Sequence, residues 1–281
     1  MHAAFREGGA PCQMPRRSGA GIQGSSMSQR FTDRVVVITG AGGGLGRAFA
    51  TSFAKEGAVL VLADVDGPLL EETAAEARAL GARATTHRFD LAVEAEIKAF
   101  GAEVCAAHPA VHVLINNAGL AYGEISGGFE HLSMEKWLRY FAINSVAPLI
   151  LAQALRPGLA RAGGKGVIIN QSSSAAYMPG TAYGVTKATL NSMTFGMASA
   201  FGSDGIRVNG IAPGIMETPA SNAFLTEEQK TRVAGMQLLK LHGVAQDIAD
   251  LGLFLASDEA RFIDCEIVHC DAGSRLRGWR G

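Results

Sequence analysis

With 281 residues, 48% of them hydrophobic and 18% charged, the chain can bury a large core and carries no compositional sign of global disorder. Its formal net charge of −1 offers no basic field for nucleic acid, and no apolar run approaches the length that spans a bilayer. Cys12, Cys105, Cys265 and Cys270 have neither CxxC nor zinc-type spacing, which predicts free thiols in a reducing, cytoplasmic setting and no metal site.

Residues 1–27 read differently from the rest. They are rich in Gly, Ser and Arg and lack both an apolar h-region and helical periodicity, so a disordered extension is expected and a secretory signal is not. The remainder, 28–281, reads as one domain. Apolar, β-branched runs at 35–39, 59–64, 84–89, 111–116, 166–171, 206–212 and 263–269 predict seven strands. Helical patterns near 45–56, 67–80, 94–107, 133–161, 182–203 and 245–256 lie between them. Alternation of this kind implies right-handed crossovers, and therefore a doubly wound α/β fold whose parallel sheet is covered on both faces. In such a sheet ligands bind beyond the carboxyl ends of the strands, so the informative residues should follow the first, second, fourth, fifth and sixth strands.

After the first strand comes TGAGGGLG, Thr39 to Gly46. Gly40, Gly44 and Gly46 permit a tight turn, close approach to a pyrophosphate and close packing of the next helix, and Gly42 and Leu45 belong to the same loop. The helix that follows presents free N–H groups and a partial positive charge to phosphate. Asp64 ends the second strand, 18 residues after Gly46. A carboxylate there accepts from both ribose hydroxyls and repels a 2′-phosphate, which favours NAD over NADP, and no arginine near Asp64 offers itself to such a phosphate. Asp90 and Leu91 end the third strand, where an adenine pocket would lie. Asn116, Asn117, Ala118 and Gly119 follow the fourth; the amides could pin strand ends, contact ribose, or do both.

Tyr183 and Lys187 are four apart in a helical segment and share one face. Tyr177 lies before Pro179–Gly180, which interrupts any helix. A phenol with a reference pKa of about 10 becomes a usable general acid–base when an ammonium beside it lowers that value.

Taken together, TGAGGGLG, Asp64, NNAG, Asn144, the serine cluster, Tyr183-x-x-x-Lys187 and Pro213–Gly214 resemble the short-chain dehydrogenase/reductase family over residues 30–273. The resemblance implies a three-layer Rossmann-type fold with a parallel seven-stranded sheet, and NAD-dependent interconversion of a secondary alcohol and a ketone. It implies Tyr183 as acid–base, Lys187 lowering its pKa and holding the nicotinamide ribose, and a serine holding the substrate oxygen. Asn144 would anchor a water joining Lys187 to solvent. Pro213, Gly214, Ile215 and Thr218 would orient the carboxamide. Assembly would be a homotetramer or homodimer, through the helix from Ala182, with its stripe of Ala188, Ser192, Gly196 and Ala200, and the helix at 133–161.

The family's serine pattern, laid on NQSS, points to Ser173, but its gap to Tyr183 is shorter than usual, so Ser172 and Ser174 stay open. The segment 215–237 would be a lid. With Tyr122, Tyr177, Met178 and Met216 it suggests a largely apolar pocket without an arginine clamp. Near the C-terminus, Ile263-Asp264-Cys265 and Asp271-Ala272-Gly273 depart from the family's Ile-Thr-Gly and Asp-Gly-Gly, which predicts altered turns there. A 3-oxoacyl thioester reductase and a non-catalytic dinucleotide-binding regulator are the alternatives. An epimerase with a larger C-terminal domain does not fit the length after Pro213.

Overall fold

The computed structural model describes residues 29–177 and 180–274. The expected N-terminal extension, Cys12 and Met178 lie outside those residues. In chain order the elements are β1 (Val35–Thr39), α1 (Gly44–Lys55), β2 (Val59–Asp64), α2 (Gly67–Ala79), β3 (Arg83–Arg88), α3 (Glu94–Ala107) and β4 (Val113–Asn116). Then come α4 (Met134–Phe141), α5 (Ala147–Ala160), β5 (Gly166–Gln171), α6 (Ala182–Phe201), β6 (Ile206–Pro213) and β7 (Met216–Glu217). The last are α7 (Pro219–Phe224), α8 (Glu227–Gly235), β8 (Gly243–Val244), α9 (Ala245–Ala256) and β9 (Ile267–Cys270).

Seven strands form one parallel sheet, as the alternating pattern predicts, in the order β3-β2-β1-β4-β5-β6-β9. The inner strands β1, β2, β4 and β5 are largely apolar at successive positions because both faces are covered, whereas the edge strand β3 is mostly polar. Val36, Ile38, Leu60, Leu62, Ile169 and Ile211 face one layer with Phe49 and Phe53 of α1 and Ile248 of α9. Val35, Val37, Val61, Leu114 and Ile168 face the other, with Phe100 of α3, Leu151 and Leu155 of α5 and Phe201 of α6. Each large side chain so buried contributes about 1.5–3 kcal/mol. The chain leaves β1 toward one edge and returns beside it at β4. The loops there diverge, and this opens a cleft at the carboxyl ends.

The helix expected at 133–161 is divided. A π-helical turn, Ala142–Val146, separates α4 from α5 and carries the buried Asn144 and Ser145. By length and hydropathy Met134–Ala160 would suffice to cross a bilayer, which corrects the expectation that no such stretch exists. Its apolar residues Leu151, Leu155 and Leu159 are core residues packed on the sheet.

The last strand starts at Ile267, four residues later than expected. Side chains supplement the backbone bonds before it, where Cys265 N–H donates to Val208 O and Gly210 N–H to Glu266 O. Asp264 Oδ1 accepts from the N–H groups of Val208 and Cys265, and Asn209 donates to Ile263 O and accepts from the Glu266 N–H. Cys265 therefore lies outside any strand and is exposed.

The departures from glycine do not change the hand of these turns. Cys265 has φ +62 and Ala272 has φ +52, the left-handed region that glycine would occupy without cost. For residues with a Cβ this conformation costs roughly 1–2 kcal/mol, partly offset on substitution by about 0.4–1 kcal/mol of unfolded-state entropy. Cys265→Gly and Ala272→Gly should each stabilise the protein by up to about 1 kcal/mol, read as a higher urea midpoint at unchanged slope. A lower midpoint for both would contradict this account.

Candidate active site

A cavity of about 670 Å³ opens where β1 and β4 diverge. Its wall runs from Asp64, Asp90 and Leu91 past Gly40, Gly44 and Leu45 to Ser173, Tyr183 and Lys187, and closes under α7 and α8. Asn117, Ala118, Gly119, Pro213, Gly214, Ile215 and Thr218 also line it, as the motifs predict.

The glycine-rich loop divides its duties. Gly40 has φ +64, and a Cβ there would come within 2.7 Å of Ala118 Cα. At Gly46 a Cβ would lie 1.9 Å from Gly40 O, so this glycine sets how closely α1 approaches the loop. Gly42 does not line the cavity. Its N–H donates to Asp64 Oδ2 at 2.8 Å, and so fixes the carboxylate that ends β2. Gly43, with no neighbouring atom within 4 Å of a built Cβ, is the wall residue instead. Helix α1 starts there with no side-chain cap and no acid in its first turn. Its first N–H groups are thus left for a ligand, and an anion is the group they favour.

Asp64 Oδ1 accepts from the Asp66 N–H at 3.0 Å, so both oxygens are oriented by backbone. One expectation fails here. Arg88 stands opposite Asp64 in the β2–β3 register and donates from Nε to Val65 O at 3.0 Å, so an arginine is in fact close, although it is not part of the cavity wall.

The amides after β4 are structural pins. Asn116 donates to Asn170 Oδ1 and Pro148 O, and Asn117 donates to Thr39 O and Gly40 O while lining the cavity. Asn144 lies behind the wall, fully buried. It donates to Leu120 O and Thr186 Oγ1 and accepts from the Leu120 N–H at 2.7 Å. Ser145 donates to Thr186 O, so the widened π turn ties two successive side chains to α6 beside Lys187. Gly119 sits where these groups converge, because a Cβ there would be 3.1 Å from Asn144 Oδ1 and 3.4 Å from Lys187 Nζ.

Thr181 caps α6 by accepting from the Gly184 N–H, which sets Tyr183 in the first turn with Lys187 one turn further on. Lys187 Nζ, buried, donates to Gln171 O at 2.6 Å and lies 5.9 Å from the Tyr183 ring centre. Burial lowers the Lys187 pKa to about 8. Burial also pushes the Tyr183 phenol up to about 12, opposed by a hydrogen bond with Ser173. The expected depression of the tyrosine is therefore not a property of the protein groups alone: in the ligand-free chain desolvation wins.

Of the three serines, Ser173 is the one bonded to the Tyr183 phenol. Ser172 donates to Asn191 Oδ1, and Ser174 is buried in a 3₁₀ turn over Ser174–Tyr177. Tyr122 stacks on Phe224 of α7 with ring centres 5.4 Å apart, and hydrogen bonds with Ser221 and Thr218 join the loop after β4 to the segment after Gly214. The segment after Gly214 carries two short helices, each begun by a capping box, at Thr218 and Thr226.

Gly43 and Gln171 lie inside TGAGGGLG and NQSS without having been singled out, and Arg139 lies outside every motif; all three are wall residues. Arg139 overturns the expectation of a pocket without arginine. The one available signal was its place one helical turn before Ile143, which also lines the cavity.

Residues 40–275 match a family model described as enoyl-(acyl carrier protein) reductase. The 2,5-dichloro-2,5-cyclohexadiene-1,4-diol dehydrogenase LinX of Sphingobium indicum is 35% identical over 258 residues, 88% of this chain and 98% of its own length. The 7α-hydroxysteroid dehydrogenase of Escherichia coli is 31% identical over 254 residues, 89% and 97% of the two chains. A solved 7α-hydroxysteroid dehydrogenase in complex with NADH and 7-oxo glycochenodeoxycholic acid superposes with a TM-score of 0.81 at 31% identity, covering 89% of this chain and 97% of that one. A 3-oxoacyl-[acyl-carrier protein] reductase from Brucella melitensis with bound NAD superposes with a TM-score of 0.79 at 27% identity, covering 88% and 93%. The chain belongs to the short-chain dehydrogenase/reductase family. It is an oxidoreductase of the class acting on CH–OH groups.

Proposed function

We propose that the protein interconverts a secondary alcohol and its ketone with NAD(H), Tyr183 serving as general acid–base. The observation that carries this reading is the Ser173–Tyr183 hydrogen bond beside buried Lys187, in the wall of the cavity that also holds the glycine-rich loop. The residues fit a dinucleotide. The uncapped start of α1 suits a pyrophosphate, Asp64 suits ribose hydroxyls, and Pro213, Gly214, Ile215 and Thr218 form the wall near Tyr183, where a carboxamide would be held.

The nicotinamide, when bound, supplies the hydride chemistry. In the oxidative direction Tyr183 Oη takes the proton of the substrate hydroxyl, and in the reductive direction it returns that proton to the ketone oxygen. Ser173 donates a hydrogen bond to the same oxygen and stabilises its developing charge. Lys187 holds ribose and keeps positive charge near the phenol. Tyr183 retains its proton until further positive charge arrives beside it, because burial outweighs the Ser173 hydrogen bond and holds the phenol at about 12. Asn144 holds the Gly119–Leu120 loop over Lys187, and with the lysine it would form the start of a water path to solvent.

Leu120, Ala121, Ile143, Leu225 and Val233 line the mouth and suit a largely apolar substrate. The diol and hydroxysteroid dehydrogenases among the relatives support a cyclic secondary alcohol. Arg139, at the rim, makes no ion pair among the described residues and would accept an acidic group on such a substrate. A spectrophotometric screen of NADH formation and loss over steroids, cyclic alcohols, ketones and 3-oxoacyl thioesters tests the reading. Turnover of thioesters alone would favour the thioester reductase, and NADH binding without any turnover would favour a regulator.

Preference for NAD(H) rests on Asp64. The dissociation constant for NADPH should exceed that for NADH by about tenfold or more, equivalent to about 1.4 kcal/mol, and Asp64→Asn should narrow the gap. Titration showing tighter NADPH binding would transfer the decisive role to Arg88.

Assembly as a homotetramer, or at least a homodimer, belongs to the same reading. It is supported by exposed Met134, Leu138, Val146 and Phe195, and by Ser192, Gly196 and Ala200 facing outward from α6. A monomer in sedimentation velocity would refute it. The thiols of Cys105, Cys265 and Cys270 are unpaired, which suits the cytoplasmic setting proposed with it; fractionation would check that.

A further inference from the structure

Gln171 ends β5 at 5% exposure, yet its side-chain nitrogen and oxygen are both buried without a hydrogen-bond partner. Burying an amide in this way is unfavourable unless something completes it, and unpaired groups of this kind mark places where a ligand or ordered group belongs. Gln171 lies in the wall of the cavity. Its main-chain carbonyl accepts from Lys187 Nζ, and its register partner on β6 is Ile211, two residues before the wall residue Pro213. Side chains at paired positions of a parallel sheet project to the same face, so Gln171 shares the face of Ile169 and Ile211, toward α1 and α9. It thus stands between the lysine and the Pro213–Ile215 segment.

We infer that the Gln171 side-chain amide is a binding residue for the nicotinamide carboxamide, a role that rests on the dinucleotide reading above. A primary carboxamide offers one donor and one acceptor to the matching pair on glutamine. The adenosine groups belong at the Asp64 and Asp90 end. An apolar alcohol or ketone presents one oxygen, already matched by Ser173 and Tyr183. The carboxamide is the remaining group that satisfies both orphaned atoms at once.

The test compares wild type with Gln171→Met, which keeps volume and removes the polar atoms, in equilibrium titrations of the full chain. The ligands are NAD⁺, its 3-acetylpyridine analogue, in which a methyl replaces the carboxamide NH₂, and ADP-ribose. The variant should bind NAD⁺ about tenfold more weakly, a change of about 1.4 kcal/mol, with ADP-ribose affinity unchanged. Wild type should discriminate against the analogue, and the variant should discriminate less, with the Pro213–Thr218 wall unchanged. Ligand-free Gln171→Met should melt at or above the wild-type temperature, and Gln171→Leu replaces it should it fail to fold. Equal losses for NAD⁺ and ADP-ribose, or unchanged discrimination against the analogue, would overturn the inference while leaving the dinucleotide reading intact. Wild type binding neither NAD⁺ nor ADP-ribose would overturn both.

Discussion

Tyr183→Phe should lower turnover of any accepted alcohol or ketone by about 10²–10⁴-fold, the range for removing a positioned general acid–base, while NADH still binds. The change deletes one oxygen. The ring remains to pack in the first turn of α6, where Thr181 caps the helix independently of it. Ser173 loses its partner but stays at the end of β5, still able to hold a substrate oxygen. The expected signature is therefore a collapse of kcat with little change in KM, because the lost interaction belongs to the transition state. Near-normal turnover would remove Tyr183 from the chemistry and with it the proposed mechanism.

Lys187→Met should produce the second large effect, and it has a readout that needs no substrate. Turnover should fall by about 10²-fold or more, since the phenol loses the neighbouring charge that helps it ionise. The stability of the ligand-free protein should also lose a pH dependence. Folding lowers the lysine's pKa from 10.5 to about 8. Below about pH 8 the folded state carries a desolvated ammonium, and the penalty for it is present in full. Between about 8 and 10.5 the unfolded chain binds the extra proton, so wild-type stability rises with pH relative to the variant. The full swing is about 3 kcal/mol at about 1.4 kcal/mol per pH unit. Urea unfolding of both proteins from neutral pH upward measures the difference. A flat difference would show that Lys187 titrates as it does in the unfolded chain.

The shared face of Tyr183 and Lys187 was legible from spacing, because four residues along a helix is a local relation, and the family resemblance supplied the role expected of the pair. The glycine-rich loop and Asp64 were legible for the same reason, each belonging to a single strand–turn–helix unit. The seven-stranded parallel sheet followed from the alternation of elements, since crossover handedness and two-sided burial leave few topologies. Local patterns reached less far at the last strand, where Asp264 and Asn209 add side-chain hydrogen bonds to the positions just before it. They also missed that Cys265 and Ala272 hold turns designed for glycine, because a φ angle is imposed by the surroundings of a residue as much as by its type.

By itself, then, the sequence determined the parallel doubly wound sheet, through the alternation of elements, and pointed to the glycine-rich turn and the Tyr183–Lys187 pair through relations within a few residues. Only the tertiary structure decided which serine meets Tyr183, because that depends on where the end of β5 stands relative to the start of α6. It alone moved the loop contact from Gly42 to Gly43, brought Arg139 from α4 to the rim, and set Arg88 across from Asp64. It alone showed the Gln171 amide buried without a partner beside the carbonyl that holds Lys187. These are relations between segments far apart along the chain. They arise when the sheet closes and desolvates what lies at its carboxyl edge, the same burial that holds Tyr183 near 12 and Lys187 near 8.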